Sequence, residues 1–173
     1  MKLRLLGIFA AVALVAACES ASDQGSGASS GGASTPMTRM DSSGSSSAIQ
    51  PGSAADFAAN VGSDRVFFDF DKYQVRADAK PILAKWAAWM NKYPATPITI
   101  EGHADERGTR EYNLALGERR ATAVKDYLVS QGVSGSRLHV ISFGKERPAV
   151  PGSNDTAWSQ NRRGVAVVGG PTS

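Results

Sequence analysis

The sequence predicts an α+β domain, a two-layer sandwich in which helices pack on a mixed four-stranded sheet. Three observations lead to this prediction. From about residue 63 onward, short runs of β-forming residues alternate with longer stretches. The longer stretches have apolar residues at helical spacing. The segments follow the order β-α-β-α-β-β, which places the helices on one side of a mixed sheet.

Residues 1–17 have the organisation of a signal peptide. Lys2 and Arg4 precede a short apolar run, and small residues close that run before Cys18. The run is shorter than the roughly 20 apolar residues that a membrane helix needs. Because residues 15–18 (VAAC) resemble a lipobox, Cys18 is predicted to be the lipidated first residue of the mature chain, rather than a free thiol left by ordinary cleavage.

Lipidation at Cys18 would fix the mature chain to a membrane, because two or more acyl chains anchor stably. Residue 19 is Glu, whereas Asp at this position retains enterobacterial lipoproteins in the inner membrane, so the outer membrane is the expected destination. Without Lys2 and Arg4 the basic and acidic residues nearly balance. Nothing in this charge pattern indicates a nucleic-acid partner.

Residues 18–62 are predicted to be a lipidated, disordered tether. Ser, Gly and Ala dominate this stretch, and Phe57 is its one aromatic residue. Such a composition buries too little apolar area to offset the entropy lost on folding. Residues 54–61 could form a short helical turn, but the folded domain is predicted to span residues 63–173.

The first half of this domain is predicted to contain two strands and a helix. Residues 65–70 (RVFFDF) are rich in β-formers, and residues 98–102 form the second strand. The helix between them is predicted to start at Asp78 and to stop before Pro94. Two tryptophans lie on its apolar face and are expected to belong to the core rather than to stack on a sugar.

The second half is predicted to begin with a helix from about Thr109 to Ser130, which Gly132 ends. A third strand covers residues 138–143. A long loop at residues 144–161 then leads to a fourth strand at residues 164–168.

Arg120 is the residue that fits this pattern least. Steps of three or four from Leu116 reach Arg120 and then apolar residues, so Arg120 lies on the stripe that faces the core. A buried cation must find a carboxylate, reach solvent or line a pocket. Asp105, in the preceding turn, is the nearest candidate partner for its donor fork. Periodicity alone leaves both a structural pair and a binding role open.

Several polar residues near the same turn raise the question of catalysis. The chain contains no HExxH motif, no GxSxG elbow between a predicted strand and a predicted helix, and no second cysteine. A metal site needs at least three ligands, and His103 is the one histidine of this turn. We therefore expect a protein that is not an enzyme and that holds no metal or cofactor.

Four motifs then occur in order between about residues 65 and 168, and they resemble the successive motifs of the OmpA-like peptidoglycan-binding domain family. The resemblance implies the α+β fold and non-covalent binding of the bacterial cell wall. The lipobox and tether are similar to those of family members that work with the Tol system during division. The four motifs are FDFDKY (68–73), EGHADERGT (101–109), YNLALGERRA (112–121) and NRR (161–163).

The same resemblance implies a pocket for the stem peptide of peptidoglycan, and above all for diaminopimelate, whose side chain ends in an ammonium and a carboxylate. Asp105 and Arg120 match the family residues that hold these two charges. Asn113 is expected to orient the turn, and His103 to support it. Four further positions match secondary residues of the family's pocket: Phe70, Asp71, Arg107 and Leu116.

The implied partners are peptidoglycan, the outer membrane through the lipid on Cys18, and the periplasmic protein TolB. The implied role is to tie the outer membrane to the wall and to support envelope integrity and constriction. The alternative is a wall-binding lipoprotein of the same family that acts outside the Tol system.

Overall fold

The structure is a computed structural model, and it describes residues 49–170. The leader, Cys18 and most of the predicted tether lie outside the described residues. None of the described helices is long and apolar enough to cross a membrane. The elements in chain order are α1 (Ala54–Val61), β1 (Arg65–Phe67), α2 (Lys80–Lys92), β2 (Ile98–His103), α3 (Arg110–Ser130), a 3₁₀ turn (Gly135–Arg137), β3 (Leu138–Gly144), α4 (Asp155–Asn161) and β4 (Arg163–Val168).

The four strands form one mixed sheet in the order β1-β4-β2-β3. β2 and β3 are parallel, whereas β4 runs antiparallel to its two neighbours, β1 and β2. The strands β1, β2 and β3 therefore share one direction, and their carboxyl ends lie at the same end of the sheet. The predicted class is confirmed, and the segments that follow β1 and β2 are brought close together.

The core lies between the sheet and the helices α2 and α3. Trp86 and Met90 of α2 are fully buried in one cluster with Ile98 and Ile100 of β2. Trp89 is only 4% exposed. The two tryptophans of α2 are therefore core residues, as predicted, and neither offers a stacking surface to a sugar.

The predicted start of the folded domain at Ser63 is too late. The helix α1 lies ahead of it, and Phe57 and Val61 of this helix are buried. The Phe57 ring meets Trp89 edge-on, with 5.0 Å between ring centroids. The sequence allowed a short helical turn at residues 54–61 but left it in the tether, because its two buried side chains stabilise a helix only when α2 supplies the other half of the contact.

Two other boundaries differ from the prediction. β1 ends at Phe67 rather than at residue 70, because its partner β4 begins at Arg163, which pairs with Phe67. The helix α2 begins at Lys80 rather than at Asp78. Asp78 does not cap it, because its carboxylate is bound by the Arg76 guanidinium at 2.9 Å.

The helix α4 lies inside the segment that was predicted to be a long loop. Asn154 caps it by accepting a hydrogen bond from the Ala157 amide at 2.9 Å. Only Ala157 and Asn161 of this helix are buried, so it has no apolar stripe for a sequence pattern to reveal. Tertiary bonds hold it instead, since the Asn161 amide oxygen accepts from two backbone N–H groups of the preceding loop at 2.7 and 3.0 Å.

Candidate functional site

A cavity of about 220 Å³ opens where the carboxyl ends of β1 and β2 meet the first turns of α3. All six predicted site residues line it, together with two residues that the sequence prediction missed, Gly108 and Tyr112. The six are Phe70, Asp71, Asp105, Arg107, Leu116 and Arg120.

Close packing of α3 on β2 sets the position of this cavity. A Cβ atom on Gly102 would lie 1.8 Å from the Gly117 carbonyl oxygen, so the two backbones touch without side chains between them. Thr109 caps α3 by accepting from the Tyr112 amide at 3.2 Å. The Asn113 amide donates to the carbonyls of Arg107 and Thr109 at 2.8 and 3.0 Å, so it orients the turn as predicted.

Arg120 reaches across from α3 and is fully buried. Its guanidinium donates to three backbone carbonyls, those of Lys72 and His103 at 2.8 Å and that of Asp69 at 3.1 Å. The candidate structural pair with Asp105 does not form, because these carbonyls satisfy the cation in place of a carboxylate. Of the five N–H donors of an arginine, two make no hydrogen bond among the residues that the structure describes.

Arg120 remains positively charged although it is buried. Desolvation is the largest cause that lowers the pKa of this guanidinium, to about 10, and the nearby Arg162 cation lowers it further. The group therefore remains protonated at neutral pH. Arg120 is thus a buried cation that lines the cavity with two free donors. Of the three outcomes that the sequence left open for this residue, the one observed is that it lines a pocket.

Asp105, only 4% exposed, is bound by two other arginines. Arg107 donates its backbone N–H and Nε to one oxygen, both at 3.1 Å, and Nη2 to the other at 2.7 Å. Arg162 adds a bond at 3.3 Å. Burial raises the pKa of the Asp105 carboxyl, but the hydrogen bonds from Arg107 outweigh it and hold that pKa below its usual value. Asp105 is thus a carboxylate at neutral pH.

The outer rim of the cavity is formed by the turn after β1. Asp71 adopts the left-handed conformation, with a φ of 56°. Its carboxylate accepts a hydrogen bond from the Tyr112 hydroxyl. That bond raises the pKa of the Tyr112 phenol. Phe70 is 58% exposed and Tyr112 is 45% exposed, so the rim presents two aromatic rings to solvent.

Trp158 of α4 contacts Arg107, as Phe70 does. The Arg107 guanidinium carbon is 4.0 Å from the Phe70 ring centre and 4.1 Å from the Trp158 ring centre. The sequence prediction missed Trp158 and Arg162, because both follow from α4, whose existence the sequence did not indicate. The NRR motif was the one signal that pointed to this region.

His103 is buried beneath the turn, where its carbonyl accepts from Arg120 and its ring stacks on Phe143 at 5.6 Å. Desolvation, followed by the charge of Arg163, lowers the pKa of this imidazole to about 3. The ring is therefore neutral at physiological pH, and His103 supports the turn as predicted. Between residues 49 and 170, no three His, Cys, Asp or Glu side chains are arranged to hold a metal ion.

Comparisons with known proteins identify the family of the chain. The model of the OmpA family matches residues 67–162. A peptidoglycan-associated lipoprotein of Rhizobium meliloti is 60% identical over 123 residues, which cover 71% of this chain and 69% of the relative. A protein of the same name from Brucella melitensis is 58% identical over 123 residues, covering 71% of this chain and 73% of that relative.

Solved structures give the same result. The crystal structure of the peptidoglycan-associated lipoprotein from Burkholderia pseudomallei superposes with a TM-score of 0.61 at 41% identity, covering 62% of this chain and 91% of that one. The C-terminal domain of Helicobacter pylori MotB, at 22% identity and a TM-score of 0.58, shares the fold and covers 64% of this chain and 89% of that one. The chain belongs to the OmpA family and, within it, to the peptidoglycan-associated lipoproteins.

Proposed function

We propose that this chain binds peptidoglycan non-covalently through the cavity at the start of α3. The observation that carries the proposal is the pair of opposite charges, Asp105 and Arg120, that line one cavity while each is satisfied by other groups. Both charges have internal partners, so neither is unpaired while the cavity is empty. A zwitterionic end group that enters can then pair with both charges. The names of the similar lipoproteins support the same ligand.

Diaminopimelate of the stem peptide is the proposed ligand group. Its side chain ends in an ammonium and a carboxylate on one carbon, so it needs a carboxylate and a cation side by side. Asp105 receives the ammonium, and the two free donors of Arg120 receive the carboxylate. A cavity of about 220 Å³ is below the usual size of a site for a whole small molecule, and it suits the end of one side chain.

Entry of the ammonium requires one internal bond to break. A carboxylate offers about four acceptor positions, and the donors from Arg107 and Arg162 occupy all of those on Asp105. The bond from Arg162, at 3.3 Å, is the longest of the four. The ligand ammonium therefore replaces Arg162, which keeps a second bond of 3.0 Å to the Phe68 carbonyl.

Sedimentation with purified peptidoglycan tests this assignment. Asp105→Asn removes the charge with little change of shape, and Arg120→Lys keeps the charge but loses the planar fork. Both variants are expected to leave most of the protein in the supernatant. The matched controls lie at exposed positions of α3, the helix that carries Arg120. They are Asp126→Asn and Arg110→Lys, and both should sediment as the wild type does. Normal sedimentation of both site variants would contradict the assignment.

The anchor is a separate part of the proposal. The lipid on Cys18 fixes the chain to the inner face of the outer membrane, and the tether lets the domain reach the wall. Binding of the wall at one end and of the membrane at the other would then tie the two layers together. Labelling of cells with palmitate tests the anchor, since Cys18→Ser should abolish the label and release the protein into the periplasmic fraction.

TolB is the proposed protein partner, which places the chain in the Tol system and in envelope constriction at division. The rival assignment is a wall-binding lipoprotein outside that system. Capture of purified TolB on the immobilised chain separates the two, because only the first assignment predicts enrichment over a column that carries no protein.

A further inference from the structure

Trp158 holds a pocket guanidinium in place although it is not among the residues that line the pocket. The Arg107 guanidinium contacts the Phe70 and Trp158 rings, about 4 Å from each. A guanidinium is planar and weakly hydrated, so it stacks well on aromatic faces and gains cation–π attraction there. Contact with two rings leaves it little freedom to turn.

Trp158 is itself fixed by the turn that it supports. Its indole N–H donates to the Glu106 carboxylate at 3.0 Å. Glu106 is the residue immediately before Arg107, so the indole is tied to the same turn that carries the guanidinium. The neighbouring Ala157 is buried, which seats this part of α4 against the domain. Movement of Trp158 would therefore disturb Arg107 directly.

Arg107 has donors to spare. Its Nε and one Nη2 hydrogen donate to Asp105. Within the part of the chain that the structure describes, its other three side-chain N–H donors make no hydrogen bond. Its side chain is 32% exposed and lines the cavity. Asp105 is shared with Arg162, so two guanidiniums surround one carboxylate. The Glu106 and Asp155 carboxylates also act on Arg107, but among the described residues neither accepts a hydrogen bond from its side chain, so its three remaining donors stay available to an anion.

We propose that Trp158 is a positioning residue that clamps Arg107 against Phe70, so that the free donors of Arg107 receive a second carboxylate of the ligand. This inference rests on the proposed wall-binding function and deepens it. The first carboxylate belongs to Arg120, at the diaminopimelate side-chain end. The second lies elsewhere on the stem peptide, and the site therefore favours stem peptides whose other carboxyl groups are free rather than amidated.

Calorimetry with two synthetic peptides tests the inference on the mature chain carrying Cys18→Ser. One probe is a stem peptide with every carboxyl free, and the other is amidated at every carboxyl except the diaminopimelate side-chain end. The wild type should bind the free peptide about three- to tenfold more tightly, as a partly exposed charge-assisted pair allows. Arg107→Gln and Trp158→Ala should each remove most of that preference.

Two further variants separate positioning from a general structural effect. Trp158→Phe keeps a ring over the guanidinium and should keep the preference, whereas Gln160→Ala, on the exposed face of α4, is a control that should match the wild type. In the Arg107→Gln background, Trp158→Ala should change the preference no further, because both substitutions act on one interaction.

The opposite results would overturn the inference. If Arg107→Gln keeps the preference, the second carboxylate meets another group. If Trp158→Ala keeps it, or weakens both peptides equally without rescue by Trp158→Phe, then Trp158 does not act through Arg107. A wild type that binds neither peptide would instead overturn the proposed function itself, which keeps the two failures distinct.

Discussion

Replacement of Arg120 by Ala is expected to cost a substantial part of the stability of the fold. The guanidinium ties three backbone carbonyls together, two in the turn after β1 and one at the end of β2. Loss of the side chain leaves the buried His103 carbonyl without its donor, at about 1–3 kcal/mol, whereas Asp69 and Lys72 are exposed, so water can replace the donor at their carbonyls. A loss of about 1–3 kcal/mol is a substantial part of the total of about 5–15 kcal/mol that usually stabilises a domain.

Urea unfolding followed by tryptophan fluorescence measures this effect, since Trp86 and Trp89 are buried in the core. Arg120→Lys should lose less stability than Arg120→Ala, because an ammonium still donates to some of the carbonyls. Arg110→Ala, at an exposed position of the same helix, should stay within about 0.5 kcal/mol of the wild type. A free energy of unfolding for Arg120→Ala within about 1 kcal/mol of the wild type would refute the reasoning.

Three further predictions concern the scaffold. Gly102→Ala should cost about 2 kcal/mol or more in thermal unfolding, since its Cβ would meet the Gly117 carbonyl oxygen at 1.8 Å; an unchanged melting temperature would contradict this close approach. Phe57→Ala should cost about 3–5 kcal/mol of unfolding free energy in urea, and a chain that begins at Ser63 should lose a similar amount. If both were as stable as the wild type, α1 would not belong to the folded domain. The pKa of His103 is lowered to about 3 in the fold, so its contribution to stability is complete above the unfolded value of about 6.5 and is lost as the pH falls toward 3. His103→Asn should therefore flatten the decline of stability between pH 6.5 and 3 relative to the wild type, and identical slopes would count against a buried neutral ring.

The sequence predicted the sheet and its two long helices because these elements bury wide apolar stripes, as α2 does with Trp86 and Met90. It missed α4 and placed α1 in the tether because each buries only two residues, such as Ala157 and Asn161 in α4. Short helices of this kind depend on tertiary contacts rather than on periodicity, and periodicity was the main signal available.

The site shows the same division. Arg120 stood out because a charge interrupted a helical stripe, but its partners could not be read from spacing. They are backbone carbonyls such as those of Lys72 and His103, and a carbonyl leaves no mark in a side-chain pattern. Trp158 and Arg162 contact pocket residues from a segment distant in sequence, so only the folded chain brings them to Asp105 and Arg107.

The most direct test of the central claim is calorimetry of the mature Cys18→Ser chain with two stem peptides, one that contains diaminopimelate and one that contains lysine in its place. Lysine keeps the ammonium for Asp105 but lacks the carboxylate for Arg120. The account predicts binding of the diaminopimelate peptide at least about tenfold tighter, which corresponds to about 1.4 kcal/mol. It also predicts loss of that binding in Asp105→Asn. Equal affinity for the two peptides, or unchanged binding by Asp105→Asn, would contradict the claim that this pair of charges holds the wall.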